Sequence, residues 1–395
     1  MKEGWEYKTF KDQFSINMGK TPPRGDSSSW DKSKITTNKW VSIADISLNE
    51  GKIIFDTKEY ISDKAAEKIK KVKAGSLLMS FKLTIGKMAF AGDDLFTNEA
   101  IIAIPQNEDY DLHFLYYYLL QYDWRTLTEG NEKVKGATLN KQSIGKIQLP
   151  IISMDEQRRI VSYLDSSFKL IDEIKNKALK SLTEAKALFQ SALAEAMKPK
   201  EGWEEKTLGE ICFIARGGSP RPIKNFLTED ESGIPWIKIG DTEIGGKFIN
   251  CTKEKIKKEG IKSSRFVRKG DFLLSNSMSF GRPYILKTDG CIHDGWLVLQ
   301  NFKDTFIDDF LYYLLSCNYV QKQFDEYAYG STVRNLKTDS VSRVSVNYPP
   351  LPTQKQIVSH LDKLSSKVRA IEEKYQKMVE ECDALKQAML RDVFE

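Results

Sequence analysis

The octet "EGWEYKTF" at residues 3–10 returns as "EGWEEKTL" at 201–208, an offset of 198 residues. With small changes of offset the likeness continues. "GKTPPR" (19–24) meets "GGSPRP" (217–222), "WVSIADI" (40–46) meets "WIKIGDT" (236–242), and "VKAGSLLMSF" (72–81) meets "VRKGDFLLSN" (267–276). Further on, "FLYYYLL" (114–120) meets "FLYYLLS" (310–316), and "EQRRIVSYLD" (156–165) meets "TQKQIVSHLD" (353–362). Solenoid units run about 20–50 residues, so this is a duplicated domain-sized module. A chain of 395 residues with 41% hydrophobic and 11% aromatic residues has the material for a separate core in each copy.

Each copy has two parts. The first mixes short β-rich runs ("GSLLMS", "AIIAIP", "DFLLS", "WLVLQ") with Gly, Pro and Asn punctuation, which reads as strands joined by loops. An aromatic segment, "FLYYYLLQYDW" or "FLYYLLSCNYV", reads as a buried helix. The second part lacks Pro and Gly over about 40 residues and has a helical period. In the second copy Ile357, Leu361, Leu364, Val368, Ile371, Tyr375, Met378, Cys382, Leu385 and Met389 recur in steps of four and three, the seam of a coiled coil. The first copy repeats it with smaller residues, as Ile160, Leu164, Ser167, Ile171, Ile174, Ala178, Ser181, Ala185, Leu188 and Ala192. Neither stripe can be buried alone, so the two helices are expected to pair. The globular domain between them makes the pair antiparallel. The alternative is that each helix seeks a helix on another protein. The expected fold is α+β, with two tandem pseudo-symmetric globular domains (1–154 and 200–352) separated by two long antiparallel coiled-coil helices (155–199 and 353–395).

Strings that suggest catalysis fail on spacing. "GKT" (19–21) resembles the end of a P-loop, but Phe14 stands where that loop needs glycine. "NYPP" (347–350) has the order of a methyltransferase tetrapeptide wrong, and Pro349 and Pro350 read better as the end of a strand before the second helix. "RGGSPRP" (216–222) lacks the strand-turn-helix context of a dinucleotide site. The three histidines (His113, His293, His360) and five cysteines (Cys212, Cys251, Cys291, Cys317, Cys382) make no metal spacing and no disulfide framework. His293 in "HDG" (293–295) aligns with Asn98 in "NEA" (98–100), so no histidine site is shared by the copies. A non-catalytic chain is expected. No apolar run approaches the ~18–20 residues of a membrane span, and "MKEGWEYKTF" has no signal-peptide apolar region, which together point to the cytoplasm.

Two related heads on a rigid spacer suit a polymer with two short sites, and a net charge of +5 fits a polyanion. The loops that differ between copies hold the candidate readers. Lys20, Thr21 and Arg24 face Arg216, Ser219 and Arg221. Lys82, Thr84 and Lys87 in "SFKLTIGK" (80–87) face Asn276, Ser277 and Arg282 in "SNSMSFGR" (275–282). Asn140 and Lys141 in "GATLNKQ" (136–142) face Arg334 and Asn335 in "GSTVRNLK" (330–337). Arginine recognises guanine, and Asn or Gln recognises adenine, through paired hydrogen bonds, whereas Lys, Ser and Thr mostly hold phosphate. The same loops also read as solvated turns. A protein-binding coiled-coil adaptor is the rival function, distinguished by insensitivity of its binding to salt.

The joints "GKTP"/"GGSP", "KAGSLLMS"/"RKGDFLLS" and "LPIISMDEQRRIVSYLD"/"YPPLPTQKQIVSHLD", in this order over the whole chain, resemble those of the specificity (S) subunit of type I restriction-modification enzymes. The resemblance implies two target recognition domains, each reading one half of a bipartite asymmetric double-stranded DNA sequence, with the helices setting the gap. It also implies docking of two methyltransferase (M) subunits, which would carry S-adenosylmethionine for N6-adenine methylation. Two restriction (R) subunits using ATP and Mg would complete the complex. No cofactor, metal or membrane is expected for this chain.

Overall fold

The computed structural model describes residues 2–127, 135–243, 245–277, 280–328 and 335–395, with the backbone alone for 135–138. Arg334 lies outside the described residues. The chain divides into two compact units, residues 1–177 with 378–395 and residues 178–377.

In the first unit a five-stranded sheet runs in the order Asn17–Met18, Ile101–Ile104, Leu77–Ser80, Met88–Ala91, Ile53–Ile54. Its neighbours are antiparallel except the last pair. The three central strands are buried along their whole length, so they read as unbroken apolar runs rather than alternating ones. Their alternation shows in which core each residue joins. Leu77 and Met79 pack with the aromatic helix Leu112–Leu120, while Leu78 packs on the opposite face with Val41, Ile46 and Ile101. A smaller sheet, Glu59–Tyr60, Lys39–Val41, Phe96–Thr97, lies beside it in the chain's topology.

The second unit repeats the order as Phe213–Arg216, Trp296–Gln300, Phe272–Ser275, Pro283–Leu286, Phe248–Ile249. Its smaller sheet has five strands, gaining Leu227–Thr228 and Arg265–Val267. At the aligned places the first unit keeps only the isolated bridges Trp30–Ile61 and Val72–Leu95. A further helix, Asn318–Ala328, follows the aromatic helix Asp308–Ser316.

The duplicated opening octet has a structural reason in each unit. Glu6–Thr9 pairs antiparallel with Gln148–Ile151, and Glu204–Thr207 pairs with Ser345–Tyr348. In both cases the partner strand leads into a long helix, Met154–Ala196 or Leu351–Phe394. The repeated "Q…LD" of the joint locks domain to helix. Gln157 is fully buried; its Nε2 donates to the Asp109 and Ile152 carbonyls at 2.8 and 3.1 Å, and its Oε1 accepts from the Asp111 amide at 2.9 Å. Gln354 repeats this with Thr305, Pro349 and Ile307 at 2.7, 2.9 and 3.1 Å. The Tyr117 hydroxyl donates to Asp165 at 2.5 Å, and that of Tyr313 donates to Asp362 at 2.6 Å. Burial first, then the carboxylate partner, pushes both hydroxyl pKa values far up.

The helices run antiparallel within each unit. In the first, Lys175 meets Asp383 at 2.6 Å and Asp172 meets Lys386 at 2.5 Å, so three residues forward on one helix are three backward on the other. In the second, Leu193 and Met197 share a core with Val358 and Leu361.

One row of the expected seam differs. Leu164, Ile171, Ala178, Ala185, Leu361, Val368 and Cys382 are buried, and Ile160 is too, whereas Ile174, Leu188, Ile371 and Leu385 are exposed. Their row is taken by the residues one position later: Lys175, Leu182 and Phe189 on the first helix, Ser365, Glu372, Val379 and Lys386 on the second, all half-buried. Of the other expected members, Ile357, Leu364, Tyr375, Met378 and Met389 are half-buried. Both rows have seven-residue spacing, so periodicity does not choose between them. The lysine stems cover apolar surface while their ammonium groups pair across the seam, which hydropathy counts as polar.

Candidate nucleic-acid interface

Within each unit the three candidate loops meet. They do so around an acidic residue that the sequence reading passed over.

In the second domain this residue is Asp294. Ser219 Oγ donates to its Oδ1 at 2.8 Å and Arg221 reaches Oδ2 at 3.4 Å, while Arg216 Nε donates to its carbonyl at 2.9 Å. Asn276 Nδ2 donates to the same carbonyl at 2.9 Å. The Asn276 carbonyl in turn accepts from the Leu336 amide at 2.9 Å, which brings in the third loop. Arg265 steadies the arrangement by donating to the Arg216 carbonyl at 2.7 Å. The Ser219 hydroxyl, helped by His293 and Arg216, holds the Asp294 carboxyl below its ordinary pKa against the opposing effect of burial.

In the first domain the aligned residue is Glu99. The Thr21 hydroxyl donates to it. Burial raises its pKa, but Thr21 and the nearby Lys82 charge outweigh that and leave it lowered. The Leu139 amide donates to the Phe81 carbonyl at 2.9 Å, the counterpart of Leu336 on Asn276. Thus "GKTPPR", "SFKLTIGK" and "GATLNKQ" converge as their partners do.

Glycine makes the convergence possible. A Cβ on Gly19 would lie 2.1 Å from the Thr97 carbonyl oxygen, and one on Gly217 would lie 2.2 Å from that of His293. Only a bare backbone lets the first loop approach the acidic one.

The expected readers divide into groups. Lys20, Lys141, Arg216, Arg221 and Arg282 are exposed, and the geometry leaves them able to meet a polyanion. Thr21 and Ser219 are half-buried against their acids, and Lys82 and Ser277 are also half-buried. Arg24 is drawn elsewhere: it pairs with Glu59 at 2.5 and 3.2 Å and lies over Trp30 and Trp40 at 4.1 and 4.8 Å. Lys87 pairs with Glu50 at 2.5 Å. Asn140 caps the helix Lys141–Gly145 by accepting from the Ser143 amide at 2.8 Å. Asn276 is 2% exposed and acts as a strut between loops, not as an accessible amide. Among the described residues, the buried Thr84 hydroxyl and Asn335 Oδ1 have no hydrogen-bond partner. Glu99 and Asp294 were visible as one aligned position of unchanged charge in "NEA" and "HDG". Among the described residues no group of three or more His, Cys, Asp or Glu could hold a metal, and no helix is long and apolar enough to cross a membrane.

A repeated fold, two β-rich domains with convergent polar loops and two long antiparallel helices define a recognition protein with two related domains. Residues 2–184 and 200–381 each match the family described as Type I restriction modification DNA specificity domain. The chain belongs to this family and is a DNA-recognition specificity subunit with two domains. It is 26% identical over 288 residues to a putative type I restriction enzyme specificity subunit of Haemophilus influenzae, covering 70% of each chain. It is 23% identical over 395 residues to the MjaIX specificity subunit of Methanocaldococcus jannaschii, covering 92% of this chain and 87% of that one. Among solved structures, a chain from work on assembly and conformational transition of the type I R-M system superposes with a TM-score of 0.80 at 20% identity, covering 100% of this chain and 98% of that one. The HsdS subunit from Thermoanaerobacter tengcongensis gives 0.54 at 20% identity, over 100% and 97%. These two likenesses speak for the fold.

Proposed function

We propose that each domain reads one half of a bipartite, asymmetric double-stranded DNA target through its three convergent loops. The long helices set the gap and dock two methyltransferase subunits. The observation that carries this is the equivalent loop cluster in both domains, built on one frame but lined with different side chains. Two different half-sites require that combination. Arg216 and Arg221 suit guanine edges or phosphates, and Lys20, Lys82 and Lys141 suit phosphates.

This chain contributes recognition, and its partners contribute the reaction. The exposed Tyr163, Leu170 and Ile174 on the first helix of one unit, and Leu188 and Ile371 in the other, support docking of the methyltransferase subunits there. S-adenosylmethionine would sit in those subunits, and ATP and Mg in two restriction subunits.

The test is a base-resolution map of N6-methyladenine in the native host with and without this gene. One bipartite motif with a fixed gap should lose methylation in the knockout. Identical maps with the methyltransferase expressed would overturn the reading. Inserting seven residues before Ala185 adds ~10 Å of helix at ~1.5 Å per residue, so the gap should lengthen by about three base pairs.

A further inference from the structure

Leu83 projects from the "SFKLTIGK" loop into the open. Leu83 has φ 64° and is 60% exposed. Among the described residues only Lys34, Leu83 and Asn301 combine a side chain with positive φ, and Leu83 alone of these is apolar. Left-handed backbone brings a Cβ too close to its own carbonyl, and an exposed leucine forgoes burial. Both costs therefore fall on a single residue.

The surrounding structure imposes this conformation. The Gly86 amide donates to the Ser80 carbonyl at 2.9 Å, the Ser80 hydroxyl donates to the Thr84 carbonyl, and Lys82–Thr84 pairs with the backbone of Lys135–Thr138. Backbone strain held in this way concentrates at functional sites. The loop also lies in the reader cluster, because Lys82 acts on Glu99, which holds Thr21. In the sequence Met278 is aligned with Leu83, so an apolar residue follows the same position in both copies; Met278 itself lies outside the described residues.

We propose that Leu83 is an apolar wedge that enters a base step of duplex DNA beside the half-site read by the first domain. Leu and Met are among the side chains that DNA-bending proteins insert between bases, and pyrimidine–purine steps yield to them most readily. Flanking polar and cationic groups would meet the backbone on either side of the opened step. The inference rests on the reading that this loop faces DNA.

The experiment uses the full chain assembled with its methyltransferase subunits and the mapped target duplex, with 2-aminopurine placed in turn at each step around the first half-site. Binding by the unaltered complex should raise emission at one step. Leu83→Ala should abolish that rise and Leu83→Phe should keep it. Leu83→Gly should abolish it too without lowering the thermal midpoint, since glycine accepts positive φ; a purely structural leucine would lower it. The wedge is overturned if no step brightens, if Leu83→Ala leaves the rise intact, or if Leu83→Ala instead breaks assembly with the methyltransferase. Lys20→Ala with Lys82→Ala separates the two readings. Weaker binding with a shallower salt dependence keeps the loop on DNA even where the wedge fails, whereas unchanged affinity and salt slope remove both.

Discussion

The two loop clusters share a frame and differ in what fills it. In both, a glycine lets the first loop approach, a hydroxyl on that loop donates to an acid, and a leucine amide ties the third loop to the second. In the second domain two arginines and a buried asparagine join Asp294. In the first, Glu99 has Thr21 and Lys82, and Arg24 is diverted to Glu59 and the tryptophan pair. The lesson is that the positions which hold the loops together are separable from those that project from them. A recognition fold can vary the second set while the first keeps its geometry.

The sharpest way to break this comparison is through the frame. Gly19→Ala and Gly217→Ala each force a Cβ to about 2 Å from a carbonyl oxygen, and each should cost about 3 kcal/mol of stability by overpacking. Denaturant unfolding checks this, and tolerance at one site alone would show that the frames are not equivalent. Next come Gln157→Leu and Gln354→Leu. Each takes the buried amide partner from three backbone groups, for an expected loss of about 2 kcal/mol in the same assay.

The contents of the clusters should respond unequally. Asp294→Asn removes the carboxylate charge that Arg221 meets and should relax discrimination at the second half-site about tenfold, within the range for a lost bidentate base contact. Glu99→Gln, with fewer partners, should do less. Sequencing of methylated sites reads both.

The smallest effect is pH. Burial, above other influences, lowers the His293 pKa from 6.5, so the unfolded chain takes up its proton first as pH falls. Its contribution to stability is whole above pH 6.5 and declines below that, by at most about 1.4 kcal/mol per pH unit. The first domain has Asn98 at this place. Hydrogen exchange at pH 7.5 and 5.5 (about one unit either side of the ordinary histidine value) should show the second domain alone loosening, and His293→Asn should remove the difference.

Much of this was legible in the sequence. Repeats, strand runs, aromatic helices and the two long helices follow from local composition and period, because strand and helix faces are set by spacings of two and 3.6 residues. The three variable loops that meet in each domain were legible as well, since two aligned copies separate what varies from what does not. Other features needed the folded chain. Asn140 was indistinguishable from a base reader until it was seen to cap a helix, and Arg24 until Trp30 and Trp40 were seen beneath it. Ile174 and Leu385 fit a seam by period, yet the interhelical pairs of Lys175 and Lys386 turn the helices by one residue. Glu99 and Asp294 gain their meaning only from the loops that meet on them.

The sequence by itself determined a duplicated α+β module on long helices and the loops that vary between its copies, because those rest on patterns within some tens of residues. Only the tertiary structure decided which side chains face outward, which brace their neighbours and which strained leucine is held in the open. Those outcomes depend on groups eighty or two hundred residues apart, such as Thr21 with Glu99 or Lys175 with Asp383, competing for the same partner in space.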